Sequence, residues 1–253
     1  MAMQSVLRSL AVLEAVAEHQ PVRVGELTPL LGLPKSTVQR SLETLAEAGW
    51  LRQVDGDLTR WALTSRAQSV VLRSGGEVDL RECAIAPMRR LRDAAGETTH
   101  LFVPTGSHQV VVIERVDCRR SIRTIIPLGT VFPMVASSAG IAMLARGPDE
   151  QVDAAIEQAT RSADAPASED LGKVRDQVAA VHTKGYSCRL GWDRDVMGIG
   201  AAIMDHRGDA TAGVSVSIPL SRFQYSNEAE WGREVMEAAA AISRSLGYAA
   251  PSS

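Results

Sequence analysis

Apolar positions in the first third of the chain fall into short helical runs separated by turn residues. Residues 5–18 carry Val6, Leu10, Leu13 and Ala17 at helical spacing, which predicts a helix with that face inward. Pro21 ends the run. Residues 22–31 predict a second, shorter helix with Leu27, Leu30 and Leu31 inward, shortened or bent at Pro29. Gly32-Leu33 reads as a turn. Pro34 suits the first position of a third helix, because its missing N–H is not needed there, and Gly49 is a natural stop after Ala48. Residues 50–54 and 58–63 read as strands around the turn Asp55-Gly56-Asp57. Three helices followed by a hairpin is the order of a winged helix-turn-helix.

The pattern then changes. Residues 65–74 predict a helix, Gly75-Gly76 a hinge, and residues 77–95 a long amphipathic helix bent at Pro87. Beyond it, residues 98–103, 109–116, 121–126, 199–204 and 210–218 are β-rich, while 138–145, 149–158, 171–184 and 227–246 are helical. This predicts an α+β domain with helices around an antiparallel sheet. Residues 161–170 form a polar, alanine-rich connector. The expected division is a winged domain over 1–64, a linker helix over 65–76 and a second domain over 77–253.

Composition narrows the function classes. Aromatic residues are only 4% of the chain, so its cores must be aliphatic and alanine-rich. No stretch approaches the roughly 20 apolar residues of a membrane span, and the first ten residues lack the apolar block of a signal peptide. Cys83, Cys118 and Cys188 lie far apart, without metal-ligand spacing, and an odd number argues against a disulfide framework. These features predict a cytoplasmic protein without metal, cofactor or membrane. The net charge is −3, and residues 1–75 hold eight Lys/Arg against seven Asp/Glu. Any contact with nucleic acid must therefore run through a few placed residues, in an oligomer, and not through a blanket of positive charge.

The third helix supplies such residues. With Val38 at the centre of its buried face, Leu42, Leu45 and Ala46 fall beside it. The opposite face carries Ser36, Thr37, Arg40 and Thr44, with Gln39 at the side. Lys35, Ser36 and Thr37 occupy the first turn, where unsatisfied backbone N–H groups attract phosphate oxygens. Gln39 and Arg40 are placed to reach adenine and guanine edges in a major groove. In the hairpin, Arg52 and Arg60 are either phosphate contacts or ordinary solubilising charges.

The segments "SVLRSLAVLEAVAEH", "VGELTPLLGLPKSTVQRSLETLAEAGWL", "ETTHLFV", "PLGTVFPMVASSAGIAMLA" and "GVSVSIP" occur in the order seen in IclR-family transcriptional regulators, which the chain resembles over nearly its whole length. "LPKSTVQRSLETL" is the most specific piece. The resemblance implies a winged helix-turn-helix, a linker helix and a C-terminal effector domain with a GAF-like antiparallel sheet. It also implies a homodimer or homotetramer on a palindromic double-stranded DNA operator.

For the effector domain, Ser137, Ser138, Ala139 and Gly140 start a helix, where free N–H groups could cradle a carboxylate or where serine simply caps the helix. "GVSVSIP" alternates, so Ser215 and Ser217 share one strand face, turned either to solvent or into a pocket. The resemblance implies the pocket reading, with Ser138, Ala139, Ser215 and Ser217 lining a ligand site and Ser121 and Thr124 of "SIRT" contributing. Arg123 either pairs with an acid there or makes a salt bridge at the sheet edge. The chain departs from the family pattern at Gly198, where members often carry cysteine, at Asp195, and in "RLGWD". Those changes are expected to open room and to add Trp192 as a flat apolar surface, or as a core or interface residue. "GWD" resembles IclR-type regulators of aromatic-acid catabolism, so a small organic acid is the expected effector, with aromatic acids among the candidates.

Enzymatic readings fail on the residues. "GIGAAI" lacks a third glycine and a following helix. "ASSAG" is not a nucleophile elbow, because Val135 stands where its first glycine should be. His100 and His108 have no evident nucleophile partner, and a structural role is expected for both. The remaining alternative is an interaction module whose winged domain binds protein. Such a surface would expose more apolar side chains than the Ser36, Thr37, Gln39 and Arg40 face does.

Overall fold

The computed structural model describes residues 3–54, 57–73, 78–106, 108–161, 171–191 and 194–249. They belong to two compact units, Met1–Gly76 and Glu77–Ser253.

The first unit is helical with a small sheet. Helix α1 (Gln4–His19) is followed by strand β1 (Val22–Arg23), α2 (Val24–Leu31), α3 (Lys35–Glu47), the strands β2 (Leu51–Val54) and β3 (Asp57–Leu63), and α4 (Arg66–Arg73). The sheet order is β1-β3-β2, all antiparallel. Its core joins Val12 and Val16 of α1, Leu27 of α2, Val38, Leu42 and Leu45 of α3, and Trp61 of β3. Gly32 ends α2 with φ +60°, the left-handed conformation that glycine adopts without a Cβ clash.

Three expectations are corrected here. The buried stripe of α1 is Val12, Ala15 and Val16, whereas Val6 and Leu10 are exposed and Leu13 is half-buried. Residues 22–23 are not helical: they pair with Trp61 and Arg60 of β3. Leu30 is likewise exposed, leaving Leu27 as the buried anchor of α2. The expected turn at 55–56 and the hinge at Gly75-Gly76 lie outside the described residues.

The second unit is a six-stranded antiparallel sheet covered on both faces. Its strands are β4 (Thr98–Thr105), β5 (Gln109–Val116), β6 (Val131–Pro133), β7 (Ser187–Leu190), β8 (Val196–Met204) and β9 (Ala210–Pro219), in the order β6-β5-β4-β9-β8-β7. Helix α5 (Val78–Ala95) and the closing helix α9 (Glu228–Ser245) pack on one face against Leu101, Val214, Val216 and Ile218. On the other face lie α6 (Ser138–Leu144), α7 (Asp149–Thr160) and α8 (Val174–Lys184), packed on Phe102, Val110 and Val112. The alternation along β9 therefore sorts its side chains between two cores, with Ser215 and Ser217 on the α6 side.

Residues 121–126, expected as a strand, form no strand; the pairing with β5 is made further on, by Val131–Pro133. Strand β7 has no counterpart in the sequence reading, and the 161–170 connector lies almost wholly outside the described residues. Among the described residues no helix is long and apolar enough to cross a membrane, and no cluster of His, Cys, Asp or Glu could hold a metal ion. Cys118 is buried, Cys83 and Cys188 are half-buried, and burial pushes the Cys188 thiol up to about 12, which keeps it unreactive.

Candidate functional site

Helix α3 is anchored by Val38, Ser41, Leu42 and Leu45, which leaves its opposite face to solvent. Lys35, Ser36, Arg40 and Thr44 are exposed; Thr37 and Gln39 are half-buried. Pro34 precedes the helix and makes no side-chain cap, so the Ser36 and Thr37 hydroxyls stand in an uncapped first turn. Two side chains are already engaged. Gln39 Nε2 donates to Glu43 Oε1 at 2.7 Å, and Thr44 Oγ1 donates back to the Arg40 carbonyl at 2.8 Å. The free face is therefore narrower than expected, and Arg40 is the one cation on it beyond Lys35.

The hairpin arginines differ. Arg52 on β2 is exposed. Arg60 on β3 is tied down: its Nη1 donates to the Pro21 carbonyl at 2.9 Å and its Nε lies 3.3 Å from Asp57 Oδ2. The Thr59 hydroxyl at 2.5 Å and Arg23 at 3.0 Å complete the set around Asp57, holding its carboxyl down to about 2. That counter-charge and the Pro21 carbonyl hold the Arg60 side chain in place.

In the second unit, sheet and α6 enclose a cavity of ≈ 240 Å³. The close approach of α6 depends on missing side chains. A Cβ on Gly200 would stand 2.6 Å from the Ala139 nitrogen, and one on Gly213 2.9 Å from the Ala139 Cβ. A Cβ on Gly198 would meet Ser138 Oγ at 2.8 Å. The absent side chain of Gly198 thus lets Ser138 approach the sheet.

Ser215 and Ser217 of β9 and Gly198 of β8 lie in the cavity wall, together with Ser137, Ser138 and Thr124. Ser121, Arg123 and Ala139 do not line it. Ser121 is exposed, Arg123 is exposed with its Nη1 donating to the Arg120 carbonyl, and Ala139 is buried beneath the glycine-lined sheet. Trp192 lies outside the described residues. Ser137 caps α6, its Oγ accepting from the Gly140 N–H at 3.1 Å, which is the capping reading of that helix start.

Sequence reasoning missed the rest of the wall. Phe102, Phe132 and Val196 supply apolar surface, Ile125, Ile126 and Pro127 come from the segment before β6, and Arg189 of β7 supplies the buried cation. Arg189 Nε donates to the Leu190 carbonyl. The alternation of "SCRL" puts Ser187 and Arg189 on one buried face, a signal that was available only once residues 187–190 were recognised as a strand. An apolar cavity with a few converging polar groups and one cation suits a small anionic molecule.

The family model described as "Bacterial transcriptional regulator IclR C-terminal" matches residues 73–244, and "IclR helix-turn-helix domain" matches residues 5–55. The chain belongs to the IclR family. It is a DNA-binding transcriptional regulator. It is similar to the transcriptional repressor IclR of Escherichia coli K12, 32% identical with 96% of this chain and 90% of that protein covered. It is also similar to the HTH-type transcriptional regulator KdgR of the same organism, 28% identical over 96% and 93%. These relatives of the IclR family are regulators, not enzymes. The crystal structure of an IclR homologue from Microbacterium hydrocarbonoxydans complexed with 4-hydroxybenzoate shares the fold, with a TM-score of 0.77 at 22% identity, covering 96% of this chain and 99% of that one.

Proposed function

We propose that this regulator reads its operator with α3 and answers to a small organic acid bound in the cavity between β9 and α6. The first half rests on the exposed, uncapped start of α3 with Arg40 one turn further on. Helix-turn-helix proteins read base edges with the N-terminal residues of this helix, and an arginine there pairs with guanine O6 and N7. Lys35, Ser36, Thr37 and the exposed Arg52 are the backbone contacts of this reading, Gln39 and Thr44 flank them, and the chain acts as a homodimer or homotetramer on two half-sites. Residues 65–76 are proposed as the linker between a reading domain (1–64) and an effector and assembly domain (77–253).

The observation that carries the second half is the cavity itself, apolar and edged by Ser137, Ser138, Ser215 and Ser217, with the buried Arg189 in its wall. A carboxylate that reaches the Arg189 guanidinium gains a charge-assisted hydrogen bond. Phe102 and Phe132 suit a planar ring, and the bound 4-hydroxybenzoate of the Microbacterium homologue agrees with an aromatic acid. The effector shifts operator affinity only by binding two arrangements of the protein with different strength.

Fluorescence anisotropy of the purified protein on its own upstream DNA, at fixed salt, with a panel of aliphatic and aromatic acids, tests the reading. Saturable binding that one acid alters supports it; no sequence-preferring binding with any acid defeats it. In the same assay Arg40→Ala is expected to weaken operator binding about 10- to 100-fold, the worth of one bidentate base contact, without loss of fold. Arg189→Gln is expected to leave operator affinity in place and to weaken the response to the acid by about tenfold or more. An unchanged acid response in that variant would place the carboxylate elsewhere.

A further inference from the structure

Beneath the serines of the cavity wall lies a group without an obvious task. His100 is on β4, opposite Ser215 in the sheet register and on the same face as Phe102. Its ring is fully buried. Nδ1 lies 3.1 Å from Ser217 Oγ, and Nε2 has no hydrogen-bond partner among the described residues. Burial, with the Arg115 charge on the paired strand, pushes the ring down to about 3, so it is neutral in the folded protein.

A neutral imidazole has one N–H and one lone pair, and here one nitrogen faces a hydroxyl while the other faces no partner. With the proton on Nε2, a buried donor is orphaned and Ser217 must give its own hydrogen to Nδ1. Ser217 would then offer only lone pairs to the cavity. With the proton on Nδ1, the ring donates to Ser217 Oγ, the orphan is a lone pair, and the Ser217 hydrogen is free. Orphaned buried N–H groups are rarer than under-satisfied acceptors.

We propose that His100 is a positioning residue of the effector cavity: protonated on Nδ1, it donates to Ser217 Oγ and so sets Ser217 as a hydrogen-bond donor toward an anionic ligand oxygen. The inference rests on the effector reading of the cavity given above. It deepens that reading by assigning the chemistry at Ser217. The sheet wall then presents Ser217 as a donor, in register through Gly198 with Arg189, and selects a ligand that turns an anionic oxygen toward that wall.

Two measurements on the full chain decide this. The first is a long-range ¹H–¹⁵N correlation spectrum of the ligand-free, ¹⁵N-labelled protein, with His100 assigned among the five histidines by its loss in His100→Asn. A pyrrole-type shift at Nδ1 and a pyridine-type shift at Nε2 are expected; the reverse pattern overturns the proposal. The second is calorimetric binding of sodium benzoate. Asparagine can place an amide N–H where Nδ1–H stood, so His100→Asn is expected to retain affinity within about threefold, while His100→Phe and Ser217→Ala each lose about tenfold. The double variant His100→Phe/Ser217→Ala is expected to lose no more than either single one, because His100 acts only through Ser217. Additive losses overturn the proposal. Absence of benzoate binding in the unsubstituted protein counts against the aromatic-acid reading of the cavity, and the tautomer measurement still decides the role of His100.

Discussion

Glu97→Ala is expected to destabilise the C-terminal unit by about 3 kcal/mol or more, seen as a lowered urea midpoint with an unchanged slope. Glu97 stands immediately before β4 and is 2% exposed. Its carboxylate receives Arg222 Nε at 2.5 Å and Nη2 at 2.6 Å, a two-pronged pair, and Arg120 Nε lies 3.6 Å away. Removing one member of a buried pair leaves the other desolvated and without its counter-charge, a loss of roughly 3–5 kcal/mol. Arg222 remains partly exposed and Arg120 more so, so both regain some hydration, which sets the lower end of that range. The loss also reaches the cavity. Arg222 Nη2 donates to the Ile122 carbonyl, which holds the segment whose next residues, Thr124 to Pro127, form one cavity wall. Acid affinity is therefore expected to fall with stability. A midpoint shift worth less than about 1 kcal/mol would show an ion pair that behaves as a solvated surface pair.

The parts that were legible in the sequence are those where one periodicity had one interpretation. Helix α3 has a single apolar face, so Val38, Leu42 and Leu45 fixed its orientation and left Arg40 outside. The alternation of "GVSVSIP" put Ser215 and Ser217 together and the valines in the other core. Helix α1 failed this condition. It carries two apolar stripes, and the one at Val6 and Leu10 matches helical spacing as well as the buried stripe at Val12, Ala15 and Val16. Periodicity alone does not choose between two such faces; packing against α3 and β3 does. Residues 121–126 failed for another reason. Their Ile and Thr content suits a strand, but strand preference measures fit to a pleated, paired surface, and the partner edge of β5 is taken by Val131–Pro133.

The cavity was legible only in part because most of it is assembled from chain segments far apart. Ser137 and Ser138 stood out in a small-residue helix start. Arg189 did not, because a lone arginine in a four-residue strand has no local pattern that distinguishes a cavity from a surface. Arg123, adjacent in sequence to the expected site, drew the assignment instead and points to the Arg120 carbonyl. His100 was readable as a strand position, yet its meaning lies in Ser217, 117 residues away.

The burial of His100, with the Arg115 charge beside it, also predicts how acid unfolds the C-terminal unit. The folded His100 ring titrates at about 3 and an exposed ring at 6.5. Between those values the unfolded chain binds a proton that the folded chain refuses, so stability rises with pH across this window. It is complete above about pH 6.5 and is lost as pH falls toward 3. At 1.36 kcal/mol per unit, the descent from pH 6.5 to 4 removes about 3 kcal/mol through this one group. Carboxylates such as Glu97 add losses of their own at the acid end, so the contribution must be read as a difference. His100→Asn carries no titrating ring, and its urea midpoint is expected to fall less steeply than that of the unsubstituted protein between pH 6.5 and 4. Parallel curves would mean that the folded ring takes up its proton as readily as the unfolded one. Such a ring would have water or a carboxylate beside Nε2, and a hydrated ring would no longer hold Ser217 in a single orientation.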